Sequence, residues 1–237
     1  MKKAWKFSIL ALLLLGITGG NGLMAQEEEE SGPLPIDFVF TYFKRSNGQF
    51  ELKVNISAEG EDGYYPVEGL PVGFSQMSGD EAAELGQVET DANGNAILRV
   101  SPQDATLKDT AGYMGFAASF EGNDEYDYGS DEVYVKDVNL KMDLEVVDSV
   151  KTVFVRASYL KGDGMEYPIT DQDIYLYSQG MLSRLQIAEG WLVDGACEIE
   201  CPEGLPGDKD GNVMLYVAMT EHPEFGNVEA AGTAAWG

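Results

Sequence analysis

Histidine is almost absent from this chain of 237 residues, which contains only His222. Serine and cysteine hydrolases use a histidine as general base, and zinc sites commonly use several histidines or cysteines. No serine lies in a Gly-x-Ser-x-Gly elbow. His222 lies in Thr220–Gly226, where Pro and Gly predict a loop between strands. Unless His222 is itself the base, these common hydrolytic mechanisms are excluded, and we expect no enzymatic activity.

Basic residues are also scarce, with 15 Lys and Arg against 41 Asp and Glu and a formal charge of −26. Loss of an N-terminal segment with Lys2, Lys3 and Lys6 would leave 12 basic residues and a charge of −29. Binding of nucleic acid or anionic lipid through charge requires a basic surface. The composition therefore excludes that partner class and suits solubility, divalent cations or basic partners.

Long apolar runs are confined to Ile9–Leu15, which follows the three lysines and precedes Leu23-Met24-Ala25. This order is typical of a secretory signal peptide, here residues 1–25. The run is too short to span about 30 Å of hydrocarbon as a helix, although an uncleaved anchor remains the alternative. Glu27–Glu30 predict an acidic, disordered leader over residues 26–34. We therefore expect an exported protein whose mature chain has no transmembrane segment.

The chain contains an internal repeat with a period of about 100 residues. Tyr65-Pro66-Val67 returns as Tyr167-Pro168-Ile169, and the strand that begins at Asn93-Gly94 returns at Asp194-Gly195. Solenoid repeats have periods of about 20–50 residues, whereas about 100 residues is the size of a domain. The repeat therefore predicts a domain duplication.

Both copies have the period of two that is typical of β-strands. Ile36, Phe38, Phe40 and Tyr42 alternate with more polar positions, and short strands separated by Gly, Asp, Asn and Pro predict β-sandwiches at residues 35–138 and 139–237. Only residues 80–85 and 182–188 have a helical composition, and we expect short helical turns within loops there. Since no Pro-, Ser- or Gly-rich linker lies at residues 138–140, we expect a semi-rigid rod.

The segment Thr90-Asp91-Ala92-Asn93-Gly94-Asn95-Ala96 resembles a turn-and-strand motif of bacterial immunoglobulin-like domains and of carboxypeptidase regulatory-like (transthyretin-like) domains. In that motif Asp and Asn cap the turn and Gly adopts a positive φ. The second copy keeps only Asp194-Gly195. The resemblance implies two tandem immunoglobulin-like sandwiches that act as spacers, adhesion modules or binding modules in an exported protein.

The two cysteines occupy core positions when the copies are superposed. Aligning Gly94 with Gly195 places Cys197 and Cys201 opposite Ala96 and Val100. Four positions of a regular strand cover about 13 Å, whereas a disulfide requires Cα atoms within about 7 Å. We expect two buried free thiols. A bulge that allows pairing, and a metal or catalytic role, remain alternatives.

Two acidic loops are candidate calcium sites. Asp208, Asp210 and Asn212 place oxygen ligands at alternate positions, as at the start of a calcium loop, but no glutamate follows at the twelfth position. Asp124 and Asp127 belong to a second loop with five acids. Clustered carboxylates repel one another unless a cation neutralises them. Calcium is therefore the only cofactor we consider, and solvated acidic loops without a cation are the alternative.

Tyr64, Tyr65, Tyr126 and Tyr128 lie near predicted loop ends. Tyrosine at the rim of a sandwich can anchor a protein or stack on a sugar, although tyrosine is also common within sheets. We predict an all-β, non-catalytic exported structural or protein-binding module of the cell envelope, either periplasmic or at the surface of a Gram-negative bacterium. Its partner would be an envelope protein or a glycan, and a carbohydrate-binding or adhesion module is the alternative.

Overall fold

The computed structural model describes residues 32–60, 63–79 and 81–237, whose regular secondary structure is entirely β-strand. The predicted signal peptide and most of the predicted leader lie outside these residues. None of the described residues forms a helix long and apolar enough to cross a membrane. The sixteen strands are β1 (Ile36–Lys44), β2 (Phe50–Gly60), β3 (Gly63–Pro66), β4 (Pro71–Ser78), β5 (Glu81–Glu89), β6 (Asn95–Val100), β7 (Tyr113–Phe120), β8 (Gly129–Lys136), β9 (Val138–Val147), β10 (Val150–Leu160), β11 (Glu166–Pro168), β12 (Gln172–Gln179), β13 (Arg184–Leu192), β14 (Ala196–Glu200), β15 (Val213–His222) and β16 (Gly226–Ala234).

The second eight strands repeat the pairing of the first eight. In the first copy β2 pairs with β1, β3 and β6, and a second sheet has the order β5-β4-β7-β8. In the second copy β10 pairs with β9, β11 and β14, while β13-β12-β15-β16 are neighbours. Two antiparallel sheets with this Greek-key connectivity form an immunoglobulin-like sandwich. The predicted all-β fold and internal duplication are confirmed.

Each copy encloses its own buried apolar cluster. The first extends from Tyr42 to Val135 and the second from Val138 to Trp236. Leu52, Val54 and Ile56 on β2 are completely buried, as the alternation predicts. Burying one such side chain contributes roughly 1.5–3 kcal/mol. Since a sandwich buries only one face of each sheet, the period of two in the sequence follows directly from this packing.

Five turns are built in the same way: 45–49, 91–95, 109–113, 161–165 and 208–212. In each turn the backbone amide of the first residue donates to the carbonyl of the fifth residue. The fourth residue is a glycine, and its amide donates to the carbonyl of the first residue. The five glycines have φ between 73° and 90°, a region that L-residues with a Cβ rarely adopt. These are three-residue loops with a glycine bulge, which explains why glycine occupies the fourth position of each of these five turns.

The sequence expectation was wrong for two segments, since β5 and β13 are strands rather than helical turns within loops. Each pairs with only one neighbouring strand and contains a β-bulge. Edge strands with charges and bulges resist further pairing. Their Glu-, Ala- and Gln-rich composition favours helix, but pairing with β4 and β12 outweighs that weak preference.

The cysteines occupy the predicted positions. Cys197 pairs with Val155 as Ala96 pairs with Val54, and the Cys201 amide donates to the Lys151 carbonyl at 2.8 Å. Both thiols are free and Cys201 is buried, but the expectation of burial is wrong for Cys197, which is only partly buried because β14 pairs with β10 alone. Burial raises the pKa of Cys197 to about 11 and also raises the pKa of Cys201. Both cysteines therefore behave as small core residues.

Two thiols should be titratable when the exported chain is unfolded in denaturant without reductant. In the folded protein at neutral pH the reaction should be slow, because burial disfavours the reactive thiolate. A thiol-reagent assay measures both quantities. The double variant Cys197→Ala/Cys201→Val, which carries the residues of the first copy, should fold and show no reaction. A chain without titratable thiols after unfolding would contradict the regular strand.

Candidate functional site

The junction between the two sandwiches combines strand pairing, ion pairs and a side-chain-to-backbone hydrogen bond. Asp137 alone separates β8 from β9. At the same level β1 pairs in parallel with β16, with Phe43 opposite Asn227 and Lys44 opposite Val228. This pairing joins one sheet of each copy into a single eight-stranded sheet. The Asn227 side-chain amide also donates to the Tyr42 carbonyl at 2.9 Å.

A row of alternating charges crosses this joined sheet. Arg99 and Arg45 both contact the Glu51 carboxylate, the former at 3.1 Å. Arg45 also lies 3.6 Å from Glu229, which is 2.6 Å from Arg184. Burial alone would raise the pKa of Glu51, but its two arginine partners outweigh that effect and lower it. The row therefore connects the first copy to the second through Arg45.

Asp137 is held between two lysines at the covalent link. Its carboxylate oxygens lie 2.5 Å from Lys44 Nζ and 2.9 Å from Lys108 Nζ, and its side chain is 13% exposed. Burial opposes ionisation, but the two ammonium groups still hold the pKa of Asp137 below its ordinary value. Both lysines belong to the first copy. Asp137, which links the two copies, is therefore bound by two side chains of the first copy.

Lys136 inserts its side chain into the second copy. Its ammonium lies 3.0 Å from Glu224 Oε2 and about 5 Å from the ring centres of Tyr113 (4.7 Å) and Tyr159 (4.9 Å). The Tyr113 hydroxyl donates to Glu224 Oε1 at 3.1 Å. Hydrogen bonding to Lys136 lowers the pKa of Glu224. A lysine enclosed by a carboxylate and two rings combines ion pairing with cation–π attraction.

Two glycines permit close backbone approach at the junction. A Cβ on Gly112 would lie 2.4 Å from the Leu160 carbonyl oxygen, and one on Gly162 would lie 2.7 Å from the Asp109 carbonyl oxygen. Each pair joins a loop of the first copy to the second copy. Side chains at these glycines would push the two sandwiches apart.

The single histidine is a turn cap in this junction. His222 Nδ1 accepts from the amides of Glu224 at 3.1 Å and Phe225 at 3.3 Å. Nε2 therefore carries the proton and donates to Gln172 Oε1 at 2.8 Å. Burial lowers the pKa of His222. A neutral imidazole with both nitrogens bonded has a structural role, and His222 lies at the end of β15 beside the predicted loop.

The first copy contains the same cap built with a different residue. Asn123 Oδ1 accepts from the amides of Glu125 at 2.9 Å and Tyr126 at 2.7 Å. Asn123 and His222 are thus equivalent residues of the two copies. The sequence alone did not reveal this equivalence, because asparagine and histidine differ chemically. They are alike here only in that each places one acceptor atom near the same two backbone amides.

The four predicted binding tyrosines lie at one end of the first sandwich, which we call the upper end and define by the β2–β3 and β7–β8 connections. Tyr64 and Tyr128 are exposed (68% and 58%), whereas Tyr126 is buried. Burial and a hydrogen bond with Tyr65 raise the pKa of Tyr126. The structure therefore brings Tyr65 and Tyr126 together, leaves Tyr64, Tyr65 and Tyr128 exposed, and buries only Tyr126.

Leu34 secures the upper end, although it belongs to the predicted disordered leader. Its amide donates to the Glu125 carbonyl at 2.8 Å, and its carbonyl accepts from the Asp127 amide at 2.9 Å. Leu34 also forms an isolated parallel bridge with Tyr126. Leu34 therefore binds the acidic loop through its backbone before β1 begins.

The two predicted calcium loops lie at opposite ends of the molecule. Asp124 and Asp127 are at the upper end, whereas Asp208, Asp210 and Asn212 are at the lower end, which we define by the β9–β10, β12–β13 and β14–β15 connections. Asp208 Oδ1 already accepts from the Asp210 and Asn212 amides, at 2.8 and 2.9 Å. Within the described residues, no three His, Cys, Asp or Glu side chains are grouped to hold a metal ion. Calcium binding stays a prediction for either loop alone.

The sequence matches no protein-family model and no curated protein. Among solved structures, it is similar to a tetra-tandem repeat in the extending region of a large adhesion protein (14% identity, TM-score 0.29, covering 86% of this chain and 49% of that chain). It is also similar to the D0-D1 domain of intimin (13%, 0.29, 82% and 96%) and to a Parabacteroides merdae β-glucuronidase (10%, 0.25, 84% and 24%). At such TM-scores these similarities carry no functional argument, and the chain spans about half or less of the adhesion protein and the glucuronidase.

Replacing Asp137 with Asn should destabilise the protein by about 2–4 kcal/mol, because it leaves two lysines facing each other without their shared anion. Chemical denaturation measures this loss. Since the folded-state pKa of Asp137 is lowered, its contribution is complete at neutral pH and is lost only as pH falls below about 4. Asp143→Asn removes an exposed pair with Arg156 and should cost less than about 1 kcal/mol. Equal effects of the two variants would contradict the assigned role of Asp137.

His222 should make stability fall as pH decreases from about 7 towards the lowered folded-state pKa, since the unfolded chain takes up the proton first, near pH 6.5. Denaturation at several pH values tests this slope. His222→Asn should keep the cap, as Asn123 does, and abolish the part of the slope due to His222. His222→Ala should lose about 1 kcal/mol at neutral pH. An unchanged slope in His222→Asn would contradict the assignment.

Proposed function

We propose that the chain is a non-catalytic structural module of the cell envelope, a stiff two-sandwich rod whose ends bind proteins. The observation that carries this proposal is the eight-stranded sheet shared by both copies. Interfaces between domains of one chain are ordinarily small and permit relative motion. Here strand pairing, the charge row and the Asp137 link resist bending together.

The polar chemistry of the described residues supports a role without catalysis. The histidine nitrogens are engaged in a cap, and both thiols have raised pKa values. Catalytic groups commonly combine a shifted pKa with an accessible cleft, whereas the strongly coupled carboxylates Glu51 and Asp137 are occupied by structural cations. Export to the envelope is proposed from the N-terminal sequence pattern.

Distances between spin labels at the two ends test the stiffness. In a Cys197→Ala/Cys201→Val background, labels at Asp131→Cys in β8 and Glu203→Cys in the β14–β15 loop should give one narrow distribution. Adding Asp137→Asn and Glu229→Gln should broaden it, because both changes remove charges that cross or anchor the junction. Asp143→Asn should leave it narrow. A broad distribution in the labelled background would overturn the rod proposal.

Carbohydrate binding is the second candidate, favoured by the exposed rings of Tyr64 and Tyr128. Exposed aromatic rings can stack on sugar faces. A glycan array probed with the exported chain distinguishes the two functions. Binding that is lost in Tyr64→Ala/Tyr128→Ala would favour the carbohydrate function, and absence of glycan binding with reproducible in-cell crosslinks to an envelope protein would favour the structural one.

A further inference from the structure

The duplication allows the junction to be mapped onto the two free ends, residue by residue. Met219 pairs with Val228 as Phe120 pairs with Gly129. The start of β16, Asn227-Val228, therefore corresponds to Tyr128-Gly129 at the upper end.

The other half of the junction has a counterpart at the lower end. Ile56 and Ala157 each donate an amide hydrogen to the glycine carbonyl of the equivalent turn, and they pair with Phe38 and Leu140 respectively. Counting along the strands from these pairs makes the end of β1, Phe43-Lys44, equivalent to Glu145-Val146 in β9. Within the molecule, the lower end of one sandwich already binds the upper end of another through these positions.

Both free counterparts expose apolar side chains at sheet edges. Tyr128 is 58% exposed, and Val146 and Val147 are 58% and 43% exposed. In the described chain β8 pairs only with β7, and β9 only with β10. An unpaired strand edge offers amides and carbonyls to another strand.

We propose that a second copy of this chain binds end to end, with Glu145-Val146 of one copy pairing in parallel with Tyr128-Gly129 of the next. This inference extends the proposed structural function and depends on it. The pairing copies that of β1 with β16. The positions of Arg45 and Glu229, which bond across the internal junction, are taken by Val147 and Ser130 at the free ends, so this ion pair has no counterpart there. The exposed side chains of Tyr128, Val146 and Val147 supply apolar area to the contact instead.

Such a contact is heterologous, because it joins different surfaces of identical chains, and it therefore builds linear series rather than closed dimers. The formal charge of −29 that we expect for the exported form opposes association of identical chains. Salt should therefore strengthen the contact, since about 1 M salt shortens the Debye length to about 3 Å. A contact held by ion pairs would respond in the opposite direction.

Sedimentation velocity of the exported chain at rising concentration, in low salt and in about 1 M NaCl, tests the inference. The unaltered chain should form a concentration-dependent series of oligomers that is favoured by salt. Tyr128→Asp, which blocks the upper end, and Val146→Asp/Val147→Asp, which blocks the lower end, should each weaken association about tenfold or more. Val39→Asp is the matched control, because Val39 is an exposed valine on β1 away from both ends, and it should associate normally.

An equimolar mixture of the two blocked variants provides the decisive result. Each retains one intact end, so the mixture should form a one-to-one dimer that does not grow. Milder Tyr128→Ala and Val146→Ser variants serve if an aspartate variant fails to fold. A monomer under all conditions, or oligomers unaffected by both sets of variants, would overturn the inference. Since the spin-label distances report stiffness within one chain, failure of end-to-end binding is distinguishable from failure of the rod proposal.

Discussion

The parallel pairing of β1 with β16 is the constraint on which the rest of the molecule depends. It involves only Phe43 and Lys44 opposite Asn227 and Val228, yet it converts two separate four-stranded sheets into one eight-stranded sheet. Few backbone bonds would not by themselves prevent bending. They are effective because the covalent link at Asp137 lies at the same level and is held by two lysines.

Polar interactions dominate this junction, whereas apolar burial dominates the interior of each sandwich. In the charge row from Arg99 to Arg184 the arginines are partly exposed, whereas the carboxylates of Glu51 and Glu229 between them are largely buried. The buried carboxylates of Glu51 and Asp137 require their cationic partners. Removing a partner would lower the stability of the fold, because it would leave an uncompensated buried charge. These paired charges therefore favour the observed orientation of the two sandwiches over orientations that would separate them.

The sequence predicted the parts of the fold that depend on local periodicity. The alternation in β1 and β2, the glycine turns and the positions of Cys197 and Cys201 all follow from side-chain direction along a strand. Pairing across the junction could not be predicted, since Lys44 and Asp137, or Arg45 and Glu229, are distant in sequence and carry no shared pattern. The strands β5 and β13 were missed because edge strands contain the charged residues that also favour helices.

For the candidate sites too, the sequence predicted local features but not the long-range packing around them. Tyr64, Tyr65, Tyr126 and Tyr128 lie near loop ends, but the exposure of three and the burial of Tyr126 depend on tertiary packing that the sequence does not reveal. Their role in binding stays a prediction. The acidic loops were recognised from composition alone. Their separation to opposite ends follows from the head-to-tail order of the copies, which no single loop reveals.

Differential scanning calorimetry of the exported chain tests most directly whether the junction makes the two sandwiches one body. We expect a single transition whose calorimetric enthalpy equals the van't Hoff enthalpy, the signature of cooperative unfolding of the whole unit. Asp137→Asn with Glu229→Gln should separate it into two transitions. Two independent transitions in the unaltered chain would contradict the account, because they would show that each sandwich unfolds without regard to its neighbour.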